Sequence, residues 1–325
     1  MSQRTFVRRA SGNDSPAPAR ARAGGAGILV AASLWGTTGT VQTFADGSSP
    51  FSVAAIRIII GGLTLLALAA ATRREGLRRL VADRRNLPLL ALGAGAIAVY
   101  QTAFFVAAGR TGVAVGTIVT IGSAPVFTGL IGLAARRTVL TGRWALATAG
   151  AVTGCTLLVG GGLADGGQET GVEPAGIALA LLAGLAYAVY ATAASVLITR
   201  GEDDRAVAGA LFAAAAVPLV PVLLAAPAGW LLTGSGALIA LYLGVVTTGL
   251  GYQLFARGLR GTPATTATTL TLAEPAVAAV LGTVLLDEAL GGLAAGGLAL
   301  LAASLVVLVA PARGSLRRQG TRTAR

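Results

Sequence analysis

The sequence predicts an all-α integral membrane protein with ten transmembrane helices, arranged as two inverted five-helix repeats. Three observations lead to this prediction. First, 54% of the 325 residues are hydrophobic, only 12% are charged, and the mean hydropathy is +0.76, whereas a soluble protein of this length needs more polar surface. Second, apolar runs of roughly 18 or more residues recur along the chain. Third, the second half of the sequence partly repeats the first.

Ten apolar runs, bounded by charge, glycine and proline, are long enough to cross a bilayer. Their approximate limits are 26–44, 51–71, 87–108, 112–134, 144–161, 174–198, 206–226, 236–256, 263–286 and 289–310. We interpret the first run as a retained helix rather than a cleaved signal peptide, because it has full spanning length and follows a long tail. The predicted units are a disordered cytoplasmic tail (1–25), two repeats (26–161 and 174–310) and a basic cytoplasmic tail (311–325).

Arginine is distributed unevenly between the two sets of loops. All 25 basic residues are arginine, and all but Arg57 and Arg110 lie in the two tails or in the loops on the same side as the tails. The other loops carry acids instead: Asp46, Asp165, Glu169, Glu173, Asp287 and Glu288. Because positive residues resist translocation, this asymmetry predicts a multi-pass protein of the cell (plasma) membrane with both termini in the cytoplasm.

An internal repeat supports the division into two halves. Shifting the sequence by 150 residues superimposes Pro125 on Pro275, and the Tyr-Gln pair at 100–101 recurs at 252–253 after a two-residue gap. Each half holds five predicted spans, an odd number, so the two halves must enter the membrane with opposite orientations. Such inverted repeats are common in alternating-access transporters.

Three segments resemble EamA-type transporters of the drug/metabolite transporter superfamily. "LAEPAVAAVLGTVLLDEALGGLAAGGLALLAASLVVLV" is similar to the family's closing two helices, "SLWGTTGTVQTF" to its Trp-Gly first helix, and "SPFSVAAIRIIIGGLTLL" to its Pro-then-Arg second helix. The resemblance covers about residues 26–310. It implies a ten-helix carrier with a central cavity, usually exporting amino acids, metabolites or drugs. The first repeat departs from the pattern, with Thr138 where the second has Glu288, and the Tyr-Gln pairs are not expected across the family. The resemblance therefore implies no particular substrate.

Glu274 and Pro275 stand side by side inside the ninth predicted span. Pro275 has no N–H, so the carbonyl of Thr271 loses its helical partner and the helix should bend there. Pro125 and the carbonyl of Ile121 repeat the arrangement in the first half. A bent helix with open carbonyls is tolerated against protein or a water-filled cavity. We therefore predict two proline hinges, with Glu274 on the cavity wall; the alternative is that the prolines only shape helix packing.

Glu274 and Arg57 are the charged residues predicted within spans. Glu274 is the candidate proton-coupling group, because intramembrane acids often mark proton relays. Two alternatives remain: an ionised Glu274 paired with Arg57, and a neutral Glu274 that donates a hydrogen bond beside the bend. Arg57 is either a structural anchor, which reaches the interface or forms an ion pair, or a cavity group that binds a substrate carboxylate.

The other candidates for the substrate cavity are aromatic, hydroxyl or amide side chains within spans. They are Trp35, Thr38, Tyr100, Gln101, Tyr187, Tyr190, Tyr252 and Gln253. Aromatic side chains with one polar end suit amphipathic solutes and can hold a cation over the ring face. The alternative is that some of them belong to an aromatic belt at the membrane interface, which is the position that we predict for Trp230.

The composition also excludes several kinds of chemistry. The chain has no His, one Cys in an apolar run, and no Lys for a phosphate-binding Gly-x-x-x-x-Gly-Lys loop. We predict no catalytic residue, metal or cofactor, and no nucleic-acid partner, since the arginines serve orientation. The expected partners are a small-molecule substrate and the lipid bilayer, with the chain a monomer or weak homodimer. The predicted function is a secondary active or facilitative exporter of an amino-acid-like or amphipathic metabolite. A lipid flippase with a laterally open groove and an intramembrane transferase remain as alternatives.

Overall fold

The computed structural model describes residues 17–310 except 43, 46, 137–138, 165–172 and 286–289, and every regular element in this part of the chain is helical. The helices are, in chain order, α1 (Ala17–Gln42), α2 (Pro50–Ala82), α3 (Leu87–Thr111), α4 (Val113–Ala134), α5 (Gly142–Ala164), α6 (Pro174–Thr199), α7 (Asp204–Ala216), α8 (Leu219–Ala225), α9 (Gly234–Leu241), α10 (Gly251–Gly258), α11 (Ala264–Leu270), α12 (Ala273–Leu285) and α13 (Gly292–Val309). A short 3₁₀ turn (Gly229–Leu232) precedes α9, and a π-helical segment (Tyr242–Leu250) joins α9 to α10.

Among the described residues, eight helices are long and apolar enough to cross a membrane, or nine if α7 and α8 form one bent span. The eight include Gly234–Gly258 as one helix and Ala264–Leu285 as another. The predicted all-helical membrane protein is therefore confirmed, whereas the number ten is not. Helix α1, with 26 residues, is long enough for a further span but is not among the eight.

The structure differs from the prediction at the start of α1 and within the seventh span. Helix α1 begins at Ala17, so residues 17–25, predicted as part of a disordered tail, are helical. Pro18 lies in the first turn, where its missing N–H breaks no helical hydrogen bond, and the Ala and Arg residues that follow favour helix. The predicted seventh span, 206–226, is bent by 42° between α7 and α8, where Pro218 removes a backbone donor.

The two halves of the chain contact each other through equivalent pairs of helices. The third and fourth helices of the first half, α3 and α4, pack on α6, the first helix of the second half. Likewise, α10 and α12 of the second half pack on α1, the first helix of the first half. Helix α2 packs on α7, and α5 packs on α13. Each half therefore uses equivalent helices to contact the other.

A cluster of buried aromatic rings occupies the centre of the bundle. The ring of Phe212 lies 4.3 Å from that of Tyr252 and 5.6 Å from that of Tyr190, and Phe255 packs 6.1 Å from Tyr190. Aromatic pairs at such separations stabilise the fold beyond the area that they bury. The cluster joins α6, α7 and α10, and of these four residues Tyr252 also lines the cavity described below.

Trp230 does not belong to an aromatic belt at the membrane interface, contrary to our prediction. Its side chain is buried in a small second core with Val53 and Leu243, and its indole Nε1 donates a hydrogen bond to the Ser52 hydroxyl at 2.8 Å. The hydrogen bond lets the indole N–H enter the interior without an unpaired donor. A tryptophan near the end of a span is therefore not necessarily a lipid-facing residue.

Candidate substrate cavity

A cavity of about 1050 Å³ extends from the centre of the bundle to the end where α2 begins. Ser48, Pro50 and Phe51 line its mouth. Most of the predicted site residues line its wall: Trp35, Thr38, Arg57, Tyr100, Gln101, Tyr187, Tyr252, Glu274 and Pro275. These residues come from α1, α2, α3, α6, α10 and α12, so both halves of the chain build the cavity.

Three predicted residues lie outside the cavity. Tyr190 is 2% exposed and packs within the central aromatic cluster. Gln253 follows the cavity residue Tyr252 but faces another way, and its Nε2 donates to the Asp204 carboxylate at 3.3 Å. Pro125 is buried inside α4, which continues uninterrupted through it. The rotation of each helix about its axis decides these positions, and a single sequence does not specify that rotation.

Four buried polar atoms on the cavity wall have no hydrogen-bond partner among the described residues: Thr38 Oγ1, Arg57 Nε, Gln101 Nε2 and Tyr187 Oη. Buried polar groups are hydrogen-bonded in the great majority of cases, so these atoms are suited to bind a solute or solvent. All four can donate a hydrogen. The wall therefore presents donors to a solute that carries hydrogen-bond acceptors.

Arg57 and Glu274 place one positive and one negative group on the wall. Neither takes part in an ion pair within the part of the chain that the structure describes. The two groups are nevertheless close enough to interact electrostatically with each other and with the Tyr252 hydroxyl. Glu274 lies in the first turn of α12, where the partial positive charge of a helix N-terminus favours a carboxylate. The cavity wall thus carries a guanidinium and a carboxyl group that form no ion pair with each other within the described residues.

The ninth predicted span is broken beside Glu274. Helix α11 ends at Leu270 and α12 begins at Ala273, so Pro275 lies in the first turn of α12. The N–H that Pro275 lacks would have bonded the Thr271 carbonyl, and the Glu274 N–H bonds that carbonyl instead, at 3.0 Å. The Thr271 hydroxyl donates to the carbonyl of Thr268 at 2.8 Å, which satisfies another backbone group near the break.

Helix α1 packs directly against this break through Gly36. A side-chain carbon at Gly36 would lie 2.7 Å from the Glu274 carbonyl oxygen, too close for any other residue without a backbone shift. Gly36 was not among the site residues predicted from the sequence, although the Trp-Gly step was part of the family resemblance. The glycine positions the cavity wall, and only the contact with the other half of the chain makes that role visible.

Trp35 connects the cavity to the π-helical segment. Its indole Nε1 donates to the Thr247 carbonyl at 2.9 Å, and its ring lies 4.6 Å from that of Tyr252. Gly251 provides the space, because a side-chain carbon there would lie 2.6 Å from the indole nitrogen. π-helical turns occur frequently at functional sites, and this one is held in place by a residue of the cavity wall.

Phe104 and Phe105 also line the cavity, but sequence analysis did not select them. They follow the Tyr100-Gln101 pair by one helical turn, a spacing that puts residues on the same helix face. The Tyr100 and Phe104 rings are 6.1 Å apart. This spacing is the signal that could have identified an aromatic strip on α3.

Comparison with known proteins decides the family. The profile of the EamA-like transporter family matches residues 22–160 and, a second time, residues 174–310. The chain belongs to the EamA-like transporter family. It is therefore a multi-pass membrane transporter, and family membership favours transport over catalysis. The resemblance seen in the sequence is confirmed.

Relatives of this EamA-like transporter agree with the assignment. It is 38% identical over 287 residues to the Bacillus subtilis (strain 168) protein named uncharacterized transporter YwfM, covering 88% of this chain and 93% of that protein. An uncharacterized protein of Pseudomonas aeruginosa is 30% identical over 270 residues, 83% of this chain and 87% of that one. A solved crystal structure of another protein superimposes with a TM-score of 0.74 at 22% identity, covering 93% of this chain and 99% of its own. That similarity shows the same fold.

Proposed function

We propose that this EamA-like transporter is a secondary carrier, active or facilitative, that exports a small amino-acid-like or amphipathic metabolite by alternating access. The observation that carries the proposal is the large cavity with unpartnered donors and two opposite charges on its wall. Sites for small molecules commonly have volumes of about 300–1,000 Å³ and combine apolar walls with a few well-placed polar groups. A cavity of about 1050 Å³ is large enough for such a solute.

The wall suggests how such a solute would be oriented. Arg57 and the unpartnered amide of Gln101 are suited to bind a carboxylate of the solute. Hydrogen bonds that involve a charged group are stronger than those between neutral groups. Glu274 is suited to an ammonium group. The aromatic pairs of the wall, with ring centroids 4.6 Å apart for Trp35–Tyr252 and 5.5 Å apart for Tyr100–Tyr187, would contact an apolar portion.

The proposed architecture is ten spans in two inverted repeats, 26–161 and 174–310. Helix α1 and the bent pair α7–α8 would complete the set beyond the eight long apolar helices. The double match of the family profile and the exchange-symmetric packing of the halves support this arrangement. The arginine asymmetry supports cytoplasmic termini. The cavity mouth, at the acid-bearing end, would then face outward.

Proton coupling through Glu274 is the part of the proposal that can be tested most directly. A substrate is first found by comparing the metabolites released by cells with and without the protein. Proteoliposomes containing wild type or Glu274→Gln are then compared for accumulation under a pH gradient and for exchange without one. Because glutamine keeps the shape but cannot titrate, coupling predicts that the variant loses accumulation and retains exchange. Glu75→Gln, an exposed site outside the cavity, serves as the matched control.

Other outcomes would contradict parts of this proposal. If Glu274→Gln accumulates substrate as well as wild type, proton coupling uses another group. If neither protein accumulates substrate under the pH gradient but both exchange it, the carrier is a uniporter or exchanger. If no water-soluble solute moves but a labelled phospholipid headgroup crosses the liposome bilayer, the protein is a flippase and the carrier proposal is wrong.

A further inference from the structure

A cluster of charged side chains lies at the end of the bundle opposite the cavity mouth. On α2, the mouth residue Pro50 and the cluster residue Arg73 are separated by 23 residues, about 35 Å of helix. Asp203, the N-cap of α7, accepts hydrogen bonds from the first backbone amides of that helix and pairs with Arg73 at 3.1 Å. Arg260, which follows α10, pairs with Asp203 at 3.5 Å and also with Asp204.

The contacts of the cluster come from α2, α7, α10 and the residues that follow α10. Helix α2 loses its helical backbone geometry at Arg73, the point where it reaches the cluster. Gln253 of α10 adds its hydrogen bond to Asp204. Beside them, Asn86, before α3, donates to Glu202 at 2.8 Å and so attaches the α2–α3 connection to the α6–α7 connection.

Buried aromatic rings separate this cluster from the cavity. Along α10, the cavity residue Tyr252 is followed by Phe255, which is fully buried, and then by Arg260. Along α7, the buried Phe212 lies about two turns beyond Asp204 and packs 4.3 Å from the Tyr252 ring. The path from the cavity to the far end is therefore closed by an aromatic layer and then by the ionic cluster.

An ion pair at the cavity mouth provides a comparison for the cluster, and it involves Arg110, near the end of α3. Arg110 pairs with Glu173 at 3.2 Å near the cavity mouth, with side chains 48% and 57% exposed. Asp203 and Asp204 are only 19% and 7% exposed. Ion pairs on the surface contribute little, whereas removing a partner from a buried carboxylate is costly. The ion pairs of the cluster therefore hold their end of the protein more strongly than the exposed pair holds the mouth.

We propose that Arg260, with Asp203 and Asp204, forms the gate that closes the transport path at the end opposite the cavity mouth. The proposal rests on the proposed alternating access. In an inverted repeat the two halves exchange conformations during the cycle, so the strong contacts form at whichever end is closed. Breaking the cluster shifts the population toward the state that is open at the cluster end.

The test measures access to a buried position, without any substrate. Cys155 is first replaced by Ala, and a single reporter is introduced by Ala208→Cys. Ala208 is 2% exposed and lies one turn further along α7 from Asp204, on the same face of the helix. A membrane-impermeant thiol reagent is applied to sealed vesicles of both orientations. A second reporter, Ala278→Cys on the cavity wall, measures access from the mouth.

The main variant is Arg260→Gln, because Arg260 is half-exposed and its replacement does not create a packing defect. We expect labelling at position 208 from the cluster side to become about tenfold faster, which corresponds to about 1.4 kcal/mol. Labelling at position 278 from the mouth side should fall. Arg260→Lys keeps the charge and should keep position 208 protected. Arg79→Gln breaks an exposed pair with Glu75 at the same end and should change neither rate.

The proposal is overturned if Arg260→Gln leaves position 208 protected in folded protein, as judged by gel filtration in detergent. It is equally overturned if Arg260→Lys or Arg79→Gln opens the position as much. If Arg260→Gln does not fold, Arg73→Gln removes a half-exposed partner of Asp203 and should give a smaller rise. The labelling experiment needs no substrate, so it can be read separately from transport. If Arg260→Gln opens position 208 but the protein transports no solute, the gate is supported and the proposed function is contradicted.

Discussion

Replacing Trp35 with phenylalanine tests whether the cavity wall and the π-helical segment act together. The change removes the indole N–H that donates to the Thr247 carbonyl at 2.9 Å, while a ring remains beside Tyr252. A buried hydrogen bond contributes about 0.5–1.5 kcal/mol, and an acceptor left unpaired costs about 1–3 kcal/mol. We therefore expect Trp35→Phe to lower the free energy of unfolding by about 1–3 kcal/mol and to slow transport, because the π-helical segment is no longer fixed against the wall.

Trp144 provides the matched control. Its indole Nε1 donates to the Thr265 carbonyl at 3.2 Å, a longer and only partly buried bond between α5 and α11, and it does not line the cavity. Thermal unfolding in detergent compares the stability of the two variants, and efflux from proteoliposomes, normalised to the amount of folded protein, compares transport. We expect Trp144→Phe to lose about 0.5–1.5 kcal/mol with normal efflux per folded molecule.

Two results would refute this reasoning. Equal slowing of efflux in Trp35→Phe and Trp144→Phe would show that the effect follows stability rather than the cavity wall. Unchanged stability in Trp35→Phe would show that the Thr247 carbonyl finds another partner, so that the indole hydrogen bond does not hold the π-helical segment.

Three further predictions concern the hinges, a helix end and the topology. Pro275→Ala supplies an N–H that can close the break between α11 and α12, so efflux should fall more than expression does. Pro125→Ala changes an uninterrupted helix and should have a smaller effect on efflux. Equal effects of the two variants would contradict the assignment of the hinge to Pro275. Arg143→Gln removes charged donors to carbonyls at the end of α13 and should lower the free energy of unfolding by about 1–2 kcal/mol, measured by thermal unfolding in detergent. Reporter fusions at Gly166 and Gly320 should report outside and inside respectively, and matching signals would exclude the proposed topology.

The break beside Glu274 shows what local sequence can predict. Proline removes a backbone donor wherever it stands in a helix, so the sequence alone indicated that the carbonyl of Thr271 would lose its partner. It could not indicate how the loss is resolved. Pro125 has the same local chemistry and lies in a continuous helix, whereas Pro275 lies next to a break against which Gly36 of α1 is packed. The surroundings of the two prolines, rather than the prolines themselves, make the difference.

The cavity residues also fall into two groups, those whose position the sequence could predict and those whose position it could not. Arg57 and Glu274 are costly within apolar runs, so an interior position could be predicted from the energy of a charge in lipid. A neutral or weakly polar side chain carries no such penalty, whether it faces lipid or the protein interior, so its position cannot be predicted in this way. Tyr190 therefore lies in the core, and Gln253 bonds to Asp204, although both stand close in sequence to residues of the cavity wall.

The sequence by itself determined the helical membrane fold, the positions of eight spans, the repeat and the family. Hydropathy, span length and proline act along the chain, within one helix at a time, so they can be read from the sequence alone. The tertiary structure decided which faces meet. It placed Trp35 on the π-helical segment, Trp230 on Ser52 and Arg260 on Asp204, contacts between residues far apart in the chain. The physical reason is that the rotation and close approach of helices depend on packing between two surfaces, and neither surface specifies that packing alone.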